Sequence, residues 1–193
     1  MIDSGSFEQA FKGLSAEEKL VLFAIGSFGI SISTKIKIQK LLFLTVQIFP
    51  DLDDLFSYDD YVFGPHSERM DAVVKSLMDK NILTKDNKLT VLGSSLLERI
   101  TIKEPLSGVI HDFKEFLHDM SDDEIMTYIY TAYPEYQKNS EKWDELKFRR
   151  VECAIRLFSK KKISISRAVK MADMDMLQFD ELLKAKNVRW RID

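Results

Sequence analysis

Cysteine is nearly missing from this chain: Cys153 is the sole example in 193 residues. This excludes a disulfide framework and a thiolate metal site, and leaves a thiol expected to sit inert inside an amphipathic helix. Histidine is as scarce, with His66, His111 and His118 only. A hydrolytic triad built on His66 or Ser67 would need a base, an acid and an oxyanion site, and the other two histidines fall in a separate predicted helix. Their i, i+7 spacing puts them on one face without further ligands, so no metal is expected. At the junction before His66 the single glycine, Gly64, is followed by Pro65, which has no N–H, so it is poor material for a phosphate cradle, and no low-complexity linker is visible. No apolar run approaches the roughly 18 residues needed to cross a bilayer. The opening "MIDSGSFEQAF" lacks the basic-then-apolar order of a signal peptide. The expectation is a cytoplasmic protein with no cofactor, no membrane contact and no enzymatic activity.

What remains is ordinary globular material, 45% hydrophobic and 31% charged, with a net charge of −3. The charge is unevenly spread. Residues 141–193 hold 14 basic and 9 acidic side chains, net +5, against net −8 for residues 1–140. A basic tail on an acidic chain points to nucleic acid or an acidic partner. An acidic stretch, Asp51, Asp53, Asp54, Asp59 and Asp60, reads as a solvated loop or a face for a basic partner. Pro50-Asp51 with Asp86-Asn87-Lys88 imitates a metal-nuclease signature, but Asp51 follows a helix and Asp86 sits at a turn, so the two acids lack paired core strands.

Helix signals are frequent. Ser15-Ala-Glu-Glu18 is a capping box that opens a helix over about 16–28. Ser33 or Thr34 caps a second over about 34–48, and Met70, Val73, Val74, Leu77 and Met78 mark one face of a third starting near His66. Ile82–Lys85 and Lys88–Val91 are expected to pair as short strands around Asp86-Asn87, and Thr90 caps the next helix. Beyond "TIKEPLSG", a helix is predicted over 107–118, another after the Ser121/Glu124 capping box up to Pro134, and a longer one over 141–159. Near the C-terminus, Ser166 is expected to cap 167–172, Asp173-Met174 to turn, and Asp175 to cap 176–186 with Gln178 in reciprocal position. Tyr128, Tyr130, Tyr133, Tyr136 and Trp143 form an aromatic group better suited to helix packing than to stacking on bases.

With these elements placed, "KIQKLLFL" at 37–44, "YVFGPHS" at 61–67 and "LTVLGSSLL" at 89–97 resemble the YwgA-like and Panacea-domain group of prokaryotic winged-helix proteins, over about 16–100. The stretch 121–188, with "RRVECAIRLFSKKKISISRAVKMADMDMLQFDELL", is similar to small antitoxin-type helix-turn-helix proteins, with Asp173 where a glycine is usual. The resemblance implies a regulator that binds DNA, a partner toxin, or both.

The expected fold is therefore mainly α: a winged helix-turn-helix domain with a small β-hairpin wing (1–106) and an all-α unit (107–193) with its helix-turn-helix at about 164–186. The expected function is a DNA-binding transcriptional regulator of antitoxin type, with a protein-interaction module that neutralises a partner as the alternative. Partners would be duplex DNA or a toxin protein, with a homodimer as one arrangement. The DNA-binding candidates are Arg149, Arg150, Arg156, Lys160, Lys161, Lys162, Arg167, Lys170, Arg189 and Arg191, plus Arg69 on the third helix. Replacing Lys160, Lys161, Lys162 and Arg167 is expected to leave folding nearly unchanged. Gly64, Pro65, His66 and Ser67 form a junction that aims the third helix.

Overall fold

The computed structural model describes residues 4–32, 34–61, 64–138 and 140–188. Among them the chain forms twelve α-helices and three short 3-10 turns, and no segment is a strand. No helix among the described residues is long and apolar enough to cross a membrane. Two compact units emerge, Met1–Asp59 with Pro65–Asp119, and Asp60–Gly64 with Met120–Asp193.

In the first unit, α1 (Ser4–Lys12) and α2 (Ala16–Gly26) lead through a 3-10 turn (Ser27–Gly29) to α3 (Lys35–Ile48). A second 3-10 turn (Pro50–Leu52), α4 (Asp53–Phe56), α5 (Glu68–Asp79), α6 (Val91–Leu97) and α7 (Leu106–Leu117) complete it. Helix α3 is the hub. Its residues Ile38 to Val46 are all buried, because α7 packs on one side and α2 on another. Most of these buried side chains are apolar, with Gln39, Lys40 and Thr45 the polar exceptions. Helix α7 packs within this unit, through Ile110 and Leu117.

Local sequence explains most helix ends. Ser15 and Glu18 make the capping box reciprocally, at 3.2 and 2.9 Å. Glu18 also binds Lys80 Nζ at 2.6 Å and accepts the Ser76 hydroxyl at 2.8 Å, so Lys80 is tied to α2. Thr34 caps α3, its Oγ1 accepting the Lys37 amide at 3.1 Å, while Ser33 lies outside the described residues.

The β-hairpin wing is a correction. In its place one isolated bridge joins Leu83 and Leu89, and Thr84 N donates to Lys88 O at 2.8 Å. Asn87 does take the positive φ (55°) of a tight turn. The ladder stops there because Ile82 and Leu83 are both buried, at 1% and 2% exposure. Consecutive buried side chains are incompatible with the alternation of a one-faced ribbon. On the other arm, Thr90 departs at once to cap α6.

The second unit holds α8 (Asp122–Ala132), a 3-10 turn (Pro134–Gln137), α9 (Glu141–Leu146), α10 (Arg150–Ser159), α11 (Ile165–Ala172) and α12 (Met176–Ala185). The helix expected over 141–159 is thus two helices, broken at 147–149. Tyr130 is fully buried beside Trp143, with ring centroids 5.5 Å apart, and its hydroxyl is hydrogen-bonded to Ser140. Cys153 is buried as expected.

Candidate nucleic-acid interface

Helices α10, α11 and α12 assemble a helix-turn-helix on a supporting helix. Ser164 caps α11, not Ser166, its hydroxyl accepting the Arg167 amide at 3.2 Å. The helix therefore starts earlier than the sequence suggested. Asp173 ends it in the left-handed region (φ 55°, ψ 51°), a conformation that Asp tolerates where glycine is usual. Asp175 and Gln178 then form a reciprocal cap, at 2.9 and 3.2 Å, which fixes the start of α12. The buried faces are Ala168, Met171 and Ala172 on α11 and Phe179 and Leu183 on α12. Met176, Leu177, Gln178 and Glu181 face solvent, so α12 offers an open face near its N-terminus.

The basic candidates divide once their neighbours are known. Arg149 pairs with Asp123 at 3.0 Å, and Arg150 with Asp173 at 2.6 Å, so the latter braces the turn itself. Arg156 reaches Glu124 at 3.2 Å and Glu152 at 3.1 Å, and Lys160 reaches Glu124 at 2.8 Å. Glu124 is 1% exposed and also accepts the Ser121 amide at 2.8 Å, so a buried carboxylate organises both cations. Arg167 lies over the Tyr128 ring at 5.0 Å, and its Nε and Nη2 are buried with no hydrogen-bond partner among the described residues. Lys160 and Arg167 are thus both engaged in contacts within this unit. Lys162 is half-buried. Lys161 and Lys170 are exposed without an ion pair among the described residues, and so is Lys186 at the end of α12. Arg189 and Arg191 lie outside the described residues. Arg69 is far along the chain, in the first unit, donating to the Asp54 carbonyl at 2.6 Å.

The junction residues answer to "KIQKLLFL". Gln39 grips the Ser67 backbone from both sides: its Nε2 donates to Ser67 O at 2.9 Å, and its Oε1 accepts the Ser67 amide at 3.1 Å. Its Nε2 also donates to Asp71 at 2.9 Å. Lys40, 3% exposed, donates to the Pro65 carbonyl at 2.6 Å, and burial lowers its pKa to about 7. Ser67 caps α5 by accepting the Met70 amide at 3.0 Å and donates its own hydroxyl to Phe56 O. His66 sits 3.1 Å from Asp71. These contacts fix where α5 begins, and none presents a nucleophile with a base. Val62 and Phe63 lie outside the described residues.

Gly64 has φ 76°, and a Cβ there would meet the Tyr130 ring at 3.2 Å. Gly64→Val is expected to cost about 1 to 3 kcal/mol through backbone strain and crowding. An unchanged melting temperature would show the bend to be permissive.

Of the remaining histidines, His111 lies against Phe28, centroids 4.6 Å apart, and the exposed His118 has its Nδ1 2.9 Å from Glu115 O. Asp51 sits in the 3-10 turn after α3 and Asp86 in the 84–88 turn.

Residues 126–193 match a family model described as an uncharacterised protein family, UPF0175. This interval contains α9 to α12 and most of α8. No curated protein and no solved structure matches the chain. The likeness of 16–100 to the YwgA-like and Panacea group rests on its sequence motifs alone.

Proposed function

We propose that this chain is a DNA-binding regulator of antitoxin type whose contact module is the α11–α12 helix-turn-helix. The observation that carries the reading is the capped three-residue turn, Asp173 to Asp175, which sets α12 on α11 with one face buried and the other open. Phosphate contacts supply most non-specific affinity, and the cations available for them in the described part of the module are Lys161, Lys170 and Lys186. Arg149, Arg150, Arg156 and Lys160 are each drawn into ion pairs within the unit.

The test is fluorescence anisotropy of the full chain on a labelled duplex over a salt series, with Lys161, Lys170 and Lys186 changed together to Gln. The expected result is unchanged melting with a salt slope smaller in magnitude by about 2 to 3, since each lost phosphate contact removes roughly 0.9. Lys160→Gln and Arg167→Gln, by contrast, are expected to lower the melting temperature. Absence of salt-dependent binding by the wild-type chain overturns the proposal.

A second reading, a protein-interaction module that neutralises a partner, is supported by exposed apolar side chains on the same unit. Leu177 is 74% exposed and Phe148 81%, and Met176 adds to the α12 face. Apolar side chains standing in water suit a protein partner better than a phosphate backbone.

A further inference from the structure

The first unit carries two surface features of opposite predominant charge, with Asp71 the one carboxylate lining the first and Arg69 reaching the Asp54 carbonyl at the second. One is a groove of about 340 Å³ between the start of α3, one flank of α5 and the 84–88 turn. Ile38, Met70, Val74 and Met78 form its apolar floor, and Lys75 and Lys85 stand exposed on its rim. Lys35, also on the rim, pairs with Asp71 at 2.7 Å, whereas Lys75 and Lys85 make no ion pair among the described residues. The other feature is the corner where α3 ends and α4 begins. Ile48 is 55% exposed there, beside exposed Asp51, Asp53 and Asp54, which also make no ion pair among the described residues.

We infer that the groove receives the α3–α4 corner of a second copy of this chain, with Ile48 entering the apolar floor and Asp51 and Asp54 meeting Lys75 and Lys85. The match is chemical on both sides. An exposed isoleucine gains by leaving water only where an apolar wall awaits it, and the methionines that make up half of the floor adapt to a branched side chain. The acidic rim of one feature meets the basic rim of the other, so wrong registers bring like charges together. Because each copy carries both features, a two-fold arrangement uses each twice and closes as a dimer. The contact involves neither α11 nor α12, so it stands or falls separately from the DNA reading.

Sedimentation equilibrium of the full chain, over a concentration series at low and high salt, tests it. The wild type is expected to dimerise, more weakly at high salt. The pair Lys75→Glu with Lys85→Glu should weaken the dimer at least tenfold, as should the pair Asp51→Lys with Asp54→Lys. Combining all four changes should restore it, a rescue that a merely structural role would not give. All four side chains are exposed, so circular dichroism should report intact folding throughout. A wild type that remains monomeric overturns the inference, including one that instead binds an acidic peptide or DNA through these lysines. A dimer indifferent to the charge reversals, or one not restored by the combination, overturns it too.

Discussion

Raising the pH from about 7 to about 9.5 is expected to stabilise this protein, by several kcal/mol in all. Two lysines are responsible. Lys40 is buried against the Pro65 carbonyl, and Lys114, fully buried on α7, donates to Ile25 O at 3.0 Å and Ser27 O at 2.7 Å. Burial lowers their pKa values from 10.5 to about 7 and about 8. At neutral pH the folded chain therefore holds ammonium groups at a cost that the unfolded chain avoids. Between those lowered values and 10.5 the unfolded state binds more protons than the folded one, so stability climbs with pH. A tenfold change in proton affinity corresponds to about 1.4 kcal/mol, which allows roughly 2 to 5 kcal/mol per lysine. Above about 10 the sign reverses, because burial keeps the Tyr58 hydroxyl protonated well past its ordinary value and raises Tyr130 to about 12. Urea titrations at a series of pH values should place the maximum near 9 to 10, and Lys40→Met should flatten the rise. A midpoint that is constant or falls between pH 7 and 9.5 would refute this.

Gly93→Ala should be among the most damaging small changes available. Gly93 lies in the first turn of α6, where a Cβ would stand 2.2 Å from the carbonyl oxygen of Ile82. Backbone cannot yield as a side chain can. Ile82 N is held by Leu77 O at 2.8 Å, and its carbonyl also accepts the Thr90 amide at 3.1 Å. Helix α6 cannot withdraw without exposing Leu96, which is fully buried. A loss of about 3 kcal/mol or more follows, at the upper end for overpacking. Gly29→Ala is a useful contrast. It has nothing within 4 Å of the added carbon but a φ of 68°, so strain alone operates, at about 1 kcal/mol. Equal denaturation midpoints for Gly93→Ala and wild type would show that α6 sits less closely on Ile82.

The local parts of this fold were legible in the sequence and the distant ones were not. Ser15 with Glu18, Ser121 with Glu124 and Asp175 with Gln178 announce helix starts because both partners lie within one turn. The turn at Asp173-Met174 was legible too, and Asp173 takes the left-handed conformation there. Glu124 also collects Arg156 and Lys160 from 32 and 36 residues away, and no spacing rule signals that. This is why a basic run that looked free for phosphate proves to be partly committed to the fold. The wing failed on burial: the turn propensity around Asp86-Asn87 was real, but whether Leu83 faces water depends on α5. The motifs at 37–44 and 61–67 gained their meaning only when Gln39 and Lys40 were seen to hold Ser67 and Pro65.

Lys114 has a chemical consequence as well as an energetic one. An amine that releases its proton near pH 8 would ordinarily be among the most reactive lysines toward acylating reagents, yet this one is 0% exposed. Reagent can reach it only when α7 lifts from the turn at Ile25 and Ser27. Its acylation rate at mildly alkaline pH therefore measures how often the first unit opens, while exposed Lys161 and Lys170 in the same molecule record the reagent's unhindered rate.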